Sequence, residues 1–436
     1  MVEKKDYPKI LIVSRLNWDD DSNSNSLTNF FDGYDPEKIA RIYIETKIPN
    51  TKCCHHFFQI SEVSLIRRIF KWKTKTGHVI DTNKSFDHSK DQEAKEDNLM
   101  SFARHHRSYF LTILRDVLWS FGGWKSKELK SFVSDFNPDV VWLDGSPLIF
   151  MNKLNNYICS IAAKPSVTFV MDDVYTYKSC PSLMSKIYRL FIRKHVKKTI
   201  ENASHVFVSS EKMEREYDEV FSINSTFLAK GVNDFISIDN LPQVHNPIRL
   251  VYLGNVLIGR FDSLVLLAEA IHAINAAKGK TFELSVYTGD YISDEDRERF
   301  LLDDSIHLCK PVPYHEVNNV MNQNDIVVFV EALEGKLNCI ARLSFSTKIV
   351  DYIVSGKCIL AIGAADLSPI EYLDSHGLSL TATKKEDIYK VLETITPELM
   401  QDIIKNNLSF AKTTHNKQTI QNNVYSILKN VANGNI

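Results

Sequence analysis

Short apolar runs and stretches of helical spacing alternate along this chain, separated by polar turns. Lys9–Ser14 reads as a buried first strand, followed by Ala40–Ile44 and His56–Ile60. Asn137-Pro138-Asp139 is a turn into a further strand, Val140–Leu143, and Ser166–Met171 opens into Asp172-Asp173. Met184–Ala203 is spaced as a basic helix, and Ser204–Ser210 is a strand with a Ser-Glu helix start behind it. Asn240–Pro247 reads as a linker, after which the alternation restarts with Ile248–Leu253, Phe282–Tyr287, Asp304–Leu308, Ile326–Val330 and Cys358–Ile362. From Pro397 onward the pattern is helical and amphipathic. Strands alternating with helices predict parallel, doubly wound sheets. The expected fold is therefore α/β, with two Rossmann-like domains facing a central cleft. Expected boundaries are 1–240, 241–400, and helices over 401–436 that pack back toward the N-terminal domain.

Length agrees with that division, since 436 residues exceed one ordinary core and suit two domains of roughly 150–250 residues. Hydrophobic content of 44% and charged content of 24% are those of a globular protein. A formal net charge of −2 gives no general attraction to nucleic acid. Seven scattered cysteines without a CxxC pair suit free thiols in a reducing compartment. Cys53-Cys54-His55-His56 invites a metal reading, but strand neighbours point to opposite faces, so no metal site is expected there. The start of the chain is charged and no run reaches the ~18 apolar residues of a span, so a cytoplasmic location is expected. Lys71–Asn98 is polar and charged and reads as an exposed insertion, and Asn17–Asn29 as a polar loop.

The chemistry concentrates in Leu343–Leu373. Ser344-Phe345-Ser346-Thr347-Lys348 is a polar turn into the helix-like Ile349–Val354, closed by Ser355-Gly356-Lys357 and followed by the apolar run Cys358–Ile362. Free N–H groups and the positive dipole end at such a helix start suit an anion, and Lys348 adds a full charge. Asp351, about one turn in, is placed to accept hydrogen bonds from sugar hydroxyls. Phosphate at the tip and a diol behind it describe a nucleoside diphosphate sugar.

Other positions support that reading or compete with it. Arg260, six residues past Gly254, is expected in a loop where it faces a diphosphate. Glu331 and Glu334 follow an apolar strand, where carboxylates point toward a ligand or lie exposed on a loop. Asp172 and Asp173 end a strand and suit acceptor hydroxyls or a base, a helix N-cap being the alternative. Basic residues share segments with apolar ones in two places. Lys186, Arg189, Arg193, Lys194, Lys197 and Lys198 accompany Ile187, Leu190, Phe191 and Ile192, while Arg67, Arg68, Lys71, Lys73 and Lys75 accompany Leu65, Ile69 and Phe70. Such segments rest on anionic lipid or form solvated helix faces.

Together these pieces resemble the retaining glycosyltransferases of the GT-B fold, in the large family 4 group of sugar-nucleotide-dependent enzymes. Gly254-Asn255-Val256-Leu257-Ile258-Gly259-Arg260 matches the family's Gly-x5-Arg/Lys loop, with Asn255 where an arginine is usual. Val350–Ile359 matches the helix of the second glutamate in its Glu-x7-Glu segment, with Asp351 in the ribose slot. Leu343 occupies the first glutamate's slot, and Met171-Asp172 stands where many members carry a His-Asp pair. Ser-Phe-Ser-Thr-Lys-Ile-x-Asp-Tyr is similar to a subgroup of bacterial polysaccharide and glycan assembly. The resemblance implies a hexosyl-type transfer from a nucleoside diphosphate sugar to a glycan or lipid-linked acceptor, with no metal, no further cofactor and peripheral membrane contact. It implies Arg260, Lys348 and Glu331 as catalytic residues. Gly254, Asn255, Arg260, Glu331, Glu334, Ser346, Thr347, Lys348 and Asp351 would bind donor, and Asp172 and Asp173 acceptor. The alternatives are a sugar-nucleotide epimerase and a non-catalytic binding subunit on the same fold.

Overall fold

The computed structural model describes residues 7–20, 26–82, 109–236 and 243–436. Part of the polar loop (21–25), most of the insertion (83–98) and the start of the linker (240–242) lie outside the described residues. Fourteen strands form two sheets among the described residues. The first contains β1 (Ile10–Val13), β2 (Ile39–Tyr43), β3 (His56–Ile60), β4 (Gly77–Asp81), β5 (Val140–Asp144), β6 (Ser166–Val170), β7 (His205–Val208) and β8 (Thr226–Phe227). The second contains β9 (Ile248–Leu253), β10 (Phe282–Tyr287), β11 (Ile306–Cys309), β12 (Ile326–Val330), β13 (Cys358–Ile362) and β14 (Leu380–Ala382).

Strand order is β4-β3-β2-β1-β5-β6-β7-β8 in the first sheet and β11-β10-β9-β12-β13-β14 in the second. Every pairing is parallel except β3–β4, where His56 opposes Asp81. The central strands are apolar and buried along their length, as sheets covered by helices on both faces require. On one face of the first sheet Ile10, Ile12, Trp142 and Phe169 share a core; on the other Leu11, Val13, Ile42 and Leu143 share a second. Strand order reverses between β1 and β5 and between β9 and β12. Ligands of open α/β sheets bind beyond the carboxyl ends of the strands at such switch points.

β4 was not expected, because it falls within the polar segment from Lys71. It is an edge strand whose Val79 is exposed and Ile80 buried, so only one face needs apolar residues.

The chain divides into two compact units, one of residues 1–209, 214–228 and 419–436 and the other of 210–213 and 229–418. The expected boundary at 240/241 thus falls at 228/229. The C-terminal stretch over 401–436, expected to pack back toward the N-terminal domain, is divided between the two units at 418/419. Met400, Ile404 and Leu408 of the helix Pro397–Thr414 join the core of the second unit. Val424, Tyr425, Leu428 and Val431 of the helix Lys417–Ala432 join Ile10 and Trp142 in the first. Gln421 Nε2 ties that last helix down by donating to the carbonyls of Asn29 and Asp32. No described helix is long and apolar enough to cross a membrane.

Candidate active site

Beyond β9 the backbone makes a tight excursion. Gly254 has φ +152°, Ile258 +61° and Gly259 +77°, and Gly259 then caps the helix Arg260–Lys278. Arg260 is therefore the first residue of a helix rather than part of a loop, and the left-handed backbone at Ile258 and Gly259, costly for the isoleucine and free for the glycine, brings the chain round abruptly. Asp290 Oδ2 accepts from the Val256 N–H at 2.7 Å and the Tyr252 hydroxyl bonds the Asn255 carbonyl, which fix the turn.

Arg260 and Glu331 form a bidentate pair across the switch point between β9 and β12. Nε and Nη2 of Arg260 donate to the two carboxylate oxygens at 3.0 and 2.9 Å, and Nη1 donates to Asn255 Oδ1 at 2.5 Å. Burial alone would lower the Arg260 pKa, but the Glu331 carboxylate outweighs it and holds the guanidinium more firmly charged. Glu331 is buried at the end of β12 and both its oxygens are engaged, so its geometry is that of a residue positioning Arg260. Glu334, the other expected sugar-binding acid, is exposed and is not brought into this cluster.

Lys348 reaches the same place from the helix Thr347–Val354. Its ammonium donates to the Leu253 carbonyl at 2.7 Å and lies 5.6 Å from the centre of the Tyr252 ring. Burial lowers its pKa first and the neighbouring Arg260 lowers it further, against the pull of Glu331. A Cβ on Gly254 would stand 2.0 Å from Lys348 Nζ, so a side chain here would displace the amine as well as strain a backbone at φ +152°. Gly254→Ala is expected to cost about 1–3 kcal/mol in backbone strain and to push the lysine out of position. A melting temperature unchanged by that substitution would contradict the packing.

Ser346 caps the helix through its backbone alone, Ile349 N–H donating to its carbonyl, and Ser346 and Thr347 are half-buried. Gly356 adopts φ +68° just past the helix, as the sequence anticipates. Asp351 accepts from Lys230 Nζ at 2.5 Å through one oxygen. Lys230 escaped sequence reasoning, because 121 residues separate the pair. The same residue's carbonyl lies 3.3 Å from Nδ1 of the fully buried His415, whose Nε2 meets the Tyr372 hydroxyl at 2.8 Å. Burial pushes the His415 pKa down to about 4, so its ring is a neutral structural strut behind the helix.

In the first unit the expected acidic pair separates. Asp172 is exposed and Asp173 is buried. Asp173 accepts from the N–H groups of Tyr175 and Thr176, the hydroxyls of Thr176, Ser179 and Tyr217, and pairs with Arg189 at 3.7 Å. Burial raises its pKa, and the donors from Ser179, Thr176 and Tyr175 more than reverse this, leaving it below the usual carboxylate range. Asp173 is a structural hub, not an acceptor ligand, because its lone pairs are already used.

Asp144 ends β5 at the switch point of this sheet and went unnoticed, although Leu143-Asp144-Gly145 has the strand-then-acid form that singled out Asp172. Burial pushes its carboxyl up to about 6, against the opposing charge of Arg41. Arg41 is itself buried on β2, donating Nε to Ser14 Oγ at 2.9 Å and Nη2 to the Leu16 carbonyl at 2.8 Å.

Two Rossmann-like units of parallel sheet, the second with a cationic pair at its switch point, define an α/β protein of the GT-B fold. No family model matches the sequence, and no curated protein is similar to it by sequence. Solved structures share the fold at low identity. An α,α-trehalose 6-phosphate synthase from Burkholderia multivorans is 10% identical with a TM-score of 0.58, over 99% of this chain and 100% of that one. A glycosyltransferase from Rickettsia africae is 11% identical with a TM-score of 0.56, over 98% and 99%. A Listeria monocytogenes protein described as a UDP-N-acetylglucosamine 2-epimerase is 11% identical with a TM-score of 0.52, over 97% and 96%.

Proposed function

We propose that this chain is a retaining, metal-independent glycosyltransferase that moves a sugar from a nucleoside diphosphate onto a growing glycan or a lipid-linked saccharide. The observation that carries the reading is the meeting of Lys348 and Arg260 beside Gly254, at the end of the second sheet. Glycosyl transfer from such a donor breaks the anomeric C–O bond with its electron pair on the phosphate oxygen, adding one negative charge to the two the diphosphate already carries. Cations held in place before reaction stabilise that charge without reorganisation. Glu331 orients the guanidinium, which keeps N–H groups on both terminal nitrogens for phosphate oxygens. Lys348 spends one donor on the Leu253 carbonyl and keeps the others. The Thr347–Val354 helix start adds its dipole. The second oxygen of Asp351 is assigned to the ribose, with Lys230 holding the first.

The reading draws further support from the fold, which solved glycosyltransferases share. Glu331 supports Arg260 rather than gripping the sugar, and acceptor recognition rests on Asp172 without Asp173. Thermal melting with a panel of nucleoside diphosphates tests the site. A ligand at ~100 times its dissociation constant adds about 2.7 kcal/mol. One diphosphate is expected to stabilise the wild type and not the Arg260→Ala/Lys348→Ala variant. No stabilisation by any would remove the phosphate site and leave a binding subunit without donor. Donor-dependent release of free diphosphate separates transfer from epimerisation, which ends in an intact sugar nucleotide.

A further inference from the structure

The first sheet carries charge at its own switch point, and the register of β1, β2 and β5 says which side chains meet there. Ile12 pairs with Arg41 on one side and Trp142 on the other, so these three share a face of the sheet. Ser14 and Asp144, two positions further along β1 and β5, share that face too. Arg41 is 2% exposed. Its Nε and Nη2 both donate to Ser14 Oγ, at 2.9 and 2.5 Å, and Nη2 also donates to the Leu16 carbonyl at 2.8 Å. The Trp18 ring lies 5.3 Å from the guanidinium carbon. One edge of the guanidinium is thereby spent and fixed. Nη1, on the far corner, is buried with no hydrogen-bond partner among the described residues, and no described carboxylate comes within ion-pair distance of the group. A buried charged donor without an acceptor is costly, so its retention calls for a partner.

Burial works against the charge of Arg41, and the strongest pull in its favour comes from Asp144. Asp144 is half-buried, and Asn155 Nδ2 fixes its carbonyl at 3.1 Å. Burial disfavours the Asp144 carboxylate, against the opposing influence of Arg41, the Trp142 indole and Arg15. Glu45 and the Cys54 thiol also face Arg41. Glu45 already accepts from the Asn17 N–H at 3.0 Å, and burial holds the Cys54 thiol protonated. At Asp173 a ring of donors outweighs burial and keeps a carboxylate ionised; Asp144 stands nearer its neutral form, in which a carboxyl donates a hydrogen bond. An oxyanion placed here meets two donors, Arg41 Nη1–H and Asp144 O–H.

We infer that the first unit binds an oxyanion, the carboxylate or phosphate of an acidic saccharide, at the end of β1, β2 and β5, held by Arg41 Nη1 and Asp144. The anion takes the far corner of the guanidinium, and Asp144 takes up one proton from water as the anion enters. Binding is therefore coupled to protonation and weakens where the Asp144 proton is hard to supply. The inference narrows the acceptor of the proposed transfer to an acidic saccharide and in that respect rests on that proposal; the binding itself does not depend on it.

Isothermal titration calorimetry of the full chain with glucuronate, glucose 6-phosphate and glucose, with no nucleotide present, tests the site. At about pH 5 one or both acids are expected to bind and glucose is not, and the acid that binds tells carboxylate from phosphate. Arg41→Met should lose that binding. Asp144→Asn should gain, because its amide donates without needing a proton. The affinity of the variant relative to wild type should grow about tenfold for each pH unit above the Asp144 value of about 6. A variant that fails to fold cannot give such a gain. Glucose binding as well as the acids, weaker binding by Asp144→Asn, or no binding of either acid at any pH would each overturn the inference. The second of these outcomes would make Asp144 a ligand of sugar hydroxyls, and the third would leave Arg41 Nη1 to water. Diphosphate binding by the second unit is read in a separate titration, so failure here leaves the proposed transfer standing, and failure there leaves this site.

Discussion

Lys348→Met is expected to reduce donor-dependent release of nucleoside diphosphate by about 10²–10³-fold, the typical effect of removing one pre-aligned donor to developing negative charge. The fold should survive it. Burial and Arg260 already lower the Lys348 pKa, so the folded protein disfavours the ammonium that the unfolded chain carries at neutral pH. That penalty is fully present below the lowered value and fades as pH rises toward the ordinary lysine value. An apolar side chain of similar length therefore leaves the melting temperature at neutral pH unchanged or raises it. A diphosphate bound beside the amine has the opposite effect, favouring its charged form. Affinity for the diphosphate should consequently fall as pH rises through the lowered Lys348 value, and the pH dependence should vanish in the variant. Calorimetric titration across pH reads both effects. A variant retaining more than about a tenth of wild-type turnover would remove Lys348 from the reaction. Lys348→Arg should not rescue, because a planar guanidinium does not reproduce the point donation of the ammonium to the Leu253 carbonyl.

Asp173→Asn should damage stability rather than chemistry. The substitution leaves Arg189 against a neutral partner and sets an amide N–H₂ against hydroxyl and backbone donors. Breaking such a buried charged network costs about 3–5 kcal/mol. For a unit of this size that corresponds to a fall in melting temperature on the order of 10 °C. The pH dependence has a definite sign. A carboxylate whose folded pKa is depressed contributes stability above its unfolded pKa, and loses it as pH falls through the folded value. Wild type should thus lose an acid-dependent component of stability, over the range below the ordinary carboxylate value, that Asp173→Asn lacks. Diphosphate stabilisation, which depends on the second unit, should persist in the variant. An Asp173→Asn protein as stable as wild type but slow in transfer would instead restore Asp173 to acceptor binding.

What the sequence by itself determined is local. Ile326–Val330 and Cys358–Ile362 are buried strands in the structure because a run of five apolar residues between turn signals has few other places to go. Gly254, Gly259 and Gly356 stand where the backbone takes a positive φ, and the turn into Thr347–Val354 sets Lys348 at a helix start. These features depend on neighbours a few residues apart, which pattern and propensity read directly. Tertiary structure decided which charges are spent and which remain available. Glu331 looks like a ligand until Arg260, 71 residues away, takes both its oxygens; Asp173 looks like an acceptor contact until Arg189 and Tyr217 surround it. Lys230 meets Asp351 only through the fold of the second unit. A side chain's partners depend on contacts that the chain makes across tens to hundreds of residues, and hydrogen-bond satisfaction at those contacts is what separates a supporting charge from a working one.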